Sequence, residues 1–227
     1  MHAGAEGPVS VDFTPAARRL GLVAAATTAI LVVAYAVTLT VGLLSLASPN
    51  DPVGPPAFSI LEILILVLMP AMVALMVAVH AWAPQRLKVL SLTALVFVSL
   101  LAAVTCCLHF VILTVSHQPA FAGQAWRPLV FEFRWPSVAY ALDILAWDVF
   151  FPLAMLFAAP VFGGSRLGGW IRWTMVASAL FALGGLAGVA TNDMQVRNVG
   201  IVGYVGVFLV VDVLLGVLFH RASSRPA

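Results

Sequence analysis

Two aspartates share one apolar stretch, "YALDILAWDVFFPLAML" at 140–156. A carboxylate in hydrocarbon costs about 2.5–3.5 kcal/mol even on the lenient insertion scale. Asp143 and Asp148 are therefore candidates for chemistry. Tyr140, Asp143 and Trp147 are spaced i, i+3, i+7 and share one helix face. Asp148, five residues after Asp143, points about 140° away on an α-helix. Either this helix lines a wide pocket, or one aspartate faces the pocket and the other a neighbouring helix. Pro152 lacks an N–H, so the carbonyl of Asp148 loses its helical partner and a kink is expected there. Pro160 and Pro70 do the same to the carbonyls of Leu156 and Leu66.

The other ionisable residues in apolar runs are Glu62, His80, His109 and Asp212. Desolvation favours a neutral carboxylic acid, and a neutral acid in an apolar site is a proton donor for general acid catalysis. Glu62, Asp143, Asp148 and Asp212 are the candidate acids. Ring faces attract positive charge, so Tyr140, Trp147, Phe151 and Phe110, with His109, are candidates for holding a substrate that becomes cationic. The bland alternative is that the aromatic residues merely pack and His109 is a satisfied buried histidine. Cys106 and Cys107 are adjacent and read as packing cysteines. No spacing of paired ligands suggests a metal, and no motif calls for a cofactor.

These residues need a membrane bundle to position them. The chain is 63% hydrophobic and only 9% charged, against roughly 25% charged in soluble domains. No basic run suggests nucleic acid. The expected class is all-α, a polytopic bundle with six transmembrane helices: 20–47, 58–81, 89–115, 135–162, 169–191 and 199–219. Short turns separate them, such as "APQRLK", "GGSRLGG" and "NDMQVRN". Residues 1–18 read as a short N-terminal tail, 19–220 as one transmembrane domain, and 221–227 as a C-terminal tail.

Orientation is expected from Lys and Arg. Arg18, Arg19, Arg86, Lys88, Arg166, Arg172, Arg221 and Arg225 fall on one side, and Arg127, Arg134 and Arg197 on the other. Both termini are then cytoplasmic, in what is expected to be a bacterial cytoplasmic membrane. At about 1.5 Å per residue, Glu62 lies one turn below the outer surface. His109 and Asp143 share a depth of about two turns, with Asp148 and Asp212 near the midplane. The long outer loop 116–135 alternates Phe131, Phe133 and Trp135 with Glu132 and Arg134. It suits an interfacial anchor or a lid over a pocket. Gly184 and Gly188, with Gly200, Gly203 and Gly206, are expected to allow close helix approach.

A glutamate early in the chain, Glu62, and an aspartate in the last helix, Asp212, within a small multi-span body, resemble the small integral membrane terpene cyclases that make meroterpenoids and indole sesquiterpenes. The resemblance implies an acid-initiated isoprenoid cyclase or isomerase, in which an acidic pair protonates an alkene or epoxide and a carbocation closes rings. It implies an isoprenoid or lipid-like substrate reached from the bilayer. Six spans stand here where fungal members are described with seven. A proton-coupled transporter and a non-catalytic accessory subunit suit buried carboxylates and broken helices too. Oligomeric state is not legible.

Overall fold

The computed structural model describes residues 13–48 and 51–222. Residues 1–12 and 223–227, within the two expected tails, lie outside the described residues. Seven helices follow in order: α1 Pro15–Leu44, α2 Ala57–Trp82, α3 Gln85–Thr114, α4 Arg127–Phe131, α5 Val138–Val161, α6 Arg166–Thr191 and α7 Met194–Arg221. All but α4 are long and apolar enough to cross a membrane. The described residues contain no strand, and the all-α, six-span architecture stands.

The ends are set by local chemistry. Thr14 caps α1 by accepting from the Ala17 N–H, with Pro15 in the first turn. The expected tail is thus shorter by four residues. Ser137 and Ser165 cap α5 and α6 in the same way. Between α6 and α7 the chain reverses within two residues. Asn192 closes α6 at φ 56°, a left-handed position asparagine tolerates. Asp193 then caps α7, accepting from the Gln195 N–H. This makes α7 start at Met194, five residues before the expected start, and carries Arg197 into the bundle.

Each long helix packs on its neighbours in the chain, and α7 returns to α1, closing a ring. One half of the ring is filled. Met69, Val79, Phe151, Met155, Met175 and Phe219 are fully buried there. Phe13 seals the end by packing edge-on to Trp82 and stacked on Phe219. The other half, toward the α6–α7 reversal, holds a cavity.

Two spans that line that cavity, α5 and α7, form π turns, and α6 behind them is interrupted by a turn at Gly185. In α5, residues Leu145–Phe150 form a π turn in which the Phe151 N–H donates to the Ala146 carbonyl, five residues back. The irregularity expected from Pro152 therefore takes the form of an inserted residue rather than a simple kink. Pro160 sits in a 3-10 turn at the end of α5, while α2 runs through Pro70 unbroken. In α7, Val202–Val207 form a second π turn. Its loosened Gly203 carbonyl accepts from the Ser178 hydroxyl of α6 at 2.8 Å, which is how irregular backbone survives at membrane depth.

Close approach of α6 and α7 rests on some of the expected glycines and not others. A Cβ on Gly203 would meet the Ser178 carbonyl at 2.6 Å and the Ala182 nitrogen at 2.7 Å. Gly206 has open space around it, and Gly184 meets only a side chain at 3.5 Å. We expect Gly203→Ala to lower stability by about 1–3 kcal/mol through overpacking and Gly206→Ala to leave it unchanged. Thermal unfolding in detergent distinguishes the two.

Candidate functional site

Arg197 organises the site. It projects from the first turn of α7 and is 5% exposed. Its Nη2 donates to Asp143 Oδ2 at 2.7 Å and its Nε to Asp148 Oδ2 at 2.8 Å. The guanidinium also lies over the Tyr140 ring, 4.6 Å from the centroid. Two edges and one face of a planar cation are thus occupied, a use that suits Arg and not Lys. The π turn explains how both aspartates reach one partner. An i→i+5 turn takes up an extra residue, so side chains five apart come round toward the same side, where an α-helix would hold them apart.

The second pair lies across the cavity. His109 of α3 brings Nδ1 to 2.9 Å from Glu62 Oε2 of α2, and Nε2 to 3.8 Å from Asp143 Oδ1. Both distances are those of ion pairs, but neither ring nitrogen makes an aligned hydrogen bond. Glu62 is 2% exposed, His109 3% and Asp143 6%. Glu62, His109, Asp143, Arg197 and Asp148 therefore form one buried chain of charge across four helices.

The cavity beside this chain has a volume of about 860 Å³. Its deep walls are apolar, with Val32, Ile65, Leu68 and Val205. Its aromatic lining includes Tyr35, Tyr140 and Tyr204, which are all three tyrosines of the chain. Trp147 also lines it, with its ring 5.1 Å from that of Tyr204. Phe58 and Phe133 complete this wall. The rim carries Asp51, Arg134, Asn192, Asp193 and Gln195. Beyond Leu68 and Val205 the bundle is closed by Met69, Met72, Phe208 and Val211.

The 116–135 connection is a cover as much as an anchor. Phe133 turns inward and touches the rings of Phe58, His109 and Tyr140. Trp135 donates from Nε1 to Asn192 Oδ1 at 2.9 Å, tying this segment to the α6–α7 reversal. Phe131 instead joins Phe121 and Trp126 in a separate aromatic group. The expected one-sided stripe of three aromatics is therefore split, because α4 ends at Phe131 and the chain bends over 133–136 instead of running straight.

Several expected site residues lie elsewhere. Phe110 is 59% exposed on the outer face of α3, since it is one residue, about 100°, round from His109. Phe151 is fully buried beneath the cavity, packed on Trp147 and Phe208. Asp148 sits behind Arg197, outside the cavity lining. Its free Oδ1 fills a slot against Gly185 and Gly200, where an added Cβ on either would come within 2.7 Å. Asp212 is fully buried with no hydrogen-bond partner on either oxygen and does not line the cavity. It faces into the filled part of the ring. Glu62 and Asp212 are not paired.

Arg197 was expected in a loop, as one of the charges setting orientation. The signal that corrects this is Asn192–Asp193, a helix stop followed at once by a helix start. Tyr35 and Tyr204 carry a weaker signal. A tyrosine far from the interface must find its hydroxyl a polar neighbourhood. Among the described residues no group of three or more His, Cys, Asp or Glu is placed to hold a metal ion. Comparison with known protein families, characterised proteins and solved structures gives no match to this chain.

Removing one member of a buried ion triad leaves uncompensated charge, which costs about 3–5 kcal/mol. We expect that loss for Arg197→Met. The triple change Arg197→Met, Asp143→Asn, Asp148→Asn is expected to recover most of it. Unfolding midpoints of the single and triple variants in detergent read both outcomes.

Proposed function

We propose that the chain is a membrane-embedded enzyme that protonates an isoprenoid or similarly lipid-like substrate at an alkene or epoxide, so that a carbocation forms and isomerises or closes rings. The observation that carries the reading is the cavity itself. It is a chamber inside a membrane bundle with apolar and aromatic inner walls and a polar rim, and one ionic chain on its wall brings Glu62 and His109 together. Apolar pockets with a few convergent polar groups are the usual form of small-molecule sites.

In this reading the acid is the Glu62–His109 pair rather than either aspartate of α5. Asp143 and Asp148 each serve Arg197, so they position and neutralise. Glu62 and His109 face each other with neither ring nitrogen in an aligned hydrogen bond, which leaves the pair able to hand a proton to a substrate atom in the cavity. Trp147, Tyr204 and Tyr35 then lie on the walls around the developing cation. Loss of a proton from a neighbouring carbon back to the same pair ends the reaction. Substrate and product are isomers, and no co-reactant is consumed.

The reading includes an integral protein of a bacterial cytoplasmic membrane, with both termini cytoplasmic and the cavity mouth outside. With Arg197 drawn into the bundle, eight cations remain on one side against Arg127 and Arg134 on the other. A proton-coupled transporter of a similar solute is the second reading, favoured by a cavity open at one end and closed at the other by Met69, Met72 and Phe208.

The test uses purified protein in nanodiscs with prenylated aromatic substrates bearing a terminal alkene or epoxide. An enzyme yields a product of unchanged mass and altered retention. We expect Glu62→Gln and His109→Asn each to lower turnover by roughly 100-fold or more, and Asp212→Asn to leave it unchanged. Full turnover in both cavity variants sinks the assignment. Solute-driven proton uptake in liposomes without product selects the transporter.

A further inference from the structure

A second hollow, of about 390 Å³, lies on the bundle's flank between α3, α4 and α5. Ala103, Cys107, Val111, Val130, Phe131 and Leu142 are among its walls, and no charged residue lines it. It is separated from the cavity by very little protein. Leu108, Ile112 and Ala139 form a small buried cluster apart from the main core, and all three line the flank groove. The residues packed on their other side are Phe58 and Phe133, and both line the cavity. The wall is thus two side chains thick, and His109 follows Leu108 directly behind it.

One side of this wall lies outside the helices. Phe133 stands in the non-helical bend between α4 and α5, held through its neighbours by the Ser137 hydroxyl on the Glu132 carbonyl and by Trp135 on Asn192. A shift of that ring leaves the helical ladders of α3 and α5 intact.

We propose that this groove binds the hydrocarbon tail of the substrate as it comes from the bilayer, and that the chain passes between Leu108, Ala139 and Phe133 to reach His109. The inference rests on the lipid-like substrate proposed above. Its occupant is an isoprenoid or alkyl chain. The groove is apolar throughout, it lies within the membrane-spanning lengths of α3 and α5, and its floor is shared with the cavity wall. An uncharged chain entering here avoids the polar rim of Asp51, Arg134 and Asp193.

Cys107 offers the test, since it is exposed and lines the groove while Cys106 is half-buried. The probe is a diazirine-bearing farnesol in phosphatidylcholine nanodiscs. In a Cys106→Ser background we expect saturable photolabelling of the 103–112 and 138–142 segments and of cavity peptides containing Tyr35 and Tyr204. Alkylating Cys107 with a bulky maleimide is expected to lower the cavity labelling about tenfold, the effect of denying the chain roughly two buried methylene groups. The same alkylation at Val96→Cys, on an exposed part of α3 in a chain with both native cysteines changed to Ser, is expected to change nothing. If Cys106→Ser misfolds, the wild-type chain serves, since Cys107 is the more exposed thiol. Unsaturable labelling spread over all outward faces means an annular lipid only and overturns the proposal. Cavity labelling indifferent to Cys107 alkylation overturns it too. Failure of the enzymatic reading looks different, because the labelling pattern would persist with no product formed.

Discussion

Arg197 held between Asp143 and Asp148 is the constraint around which the rest of the site is arranged. An isolated ion is prohibitively placed inside a membrane bundle, and even a pair must satisfy its remaining donors and acceptors. Here the guanidinium uses two edges on carboxylates and its face on Tyr140. The second oxygen of Asp143 faces His109, which in turn meets Glu62. The charges are linked so that none stands alone, and together they tie α2, α3, α5 and α7 across the open half of the ring. A helix bundle in lipid lacks the hydrophobic drive that assembles soluble cores. A polar tie of this kind therefore also fixes which helices face one another.

The backbone is bent to serve that tie. In regular α-helix the two aspartates of α5 would diverge, and the π turn at Leu145–Phe150 brings them round. On the opposite side, α6 approaches so closely that Gly188 lies against the backbone and Cβ of Arg197, and Gly185 against Asp148. Bulk at either position would push the helix away from the ion pair. The second π turn, in α7, carries Tyr204 onto Trp147 and hands its loosened Gly203 carbonyl to Ser178. Regularity is given up where the ionic chain and the cavity are built. In the filled half, α2 passes through Pro70 without a break.

What the sequence showed follows from which interactions are local. Six spans were legible because each is a run of apolar residues longer than a bilayer core demands. The common depth of His109 and Asp143 was legible from rise per residue, and the structure places them 3.8 Å apart at their nearest charged atoms. Arg197 was hidden because a charge near a turn looks like a loop charge until the caps on either side are noticed. The shared face of Asp143 and Asp148 was hidden for a different reason. Counting at 100° per residue assumes an unbroken α-helix, and Pro152 signalled trouble without saying that the remedy would be one extra residue per turn. Asp212 drew notice because it is an acid in an apolar helix, yet periodicity alone could not tell which neighbour it faces.

The two hollows and the ionic chain share one boundary, and their arrangement accounts for the protein's asymmetry. The cavity's mouth at the Asn192 end is rimmed by polar side chains, while the groove on the flank is lined by uncharged residues. His109 lines the cavity, next in sequence to Leu108 of the thin wall and next in space to Glu62. A proton donor for a lipid-like molecule needs both contacts: a polar relay behind it and hydrocarbon in front. With Asp143 and Arg197 on one side of it and the thin apolar wall on the other, the histidine stands where the proposed proton transfer to a lipid-like substrate would need it.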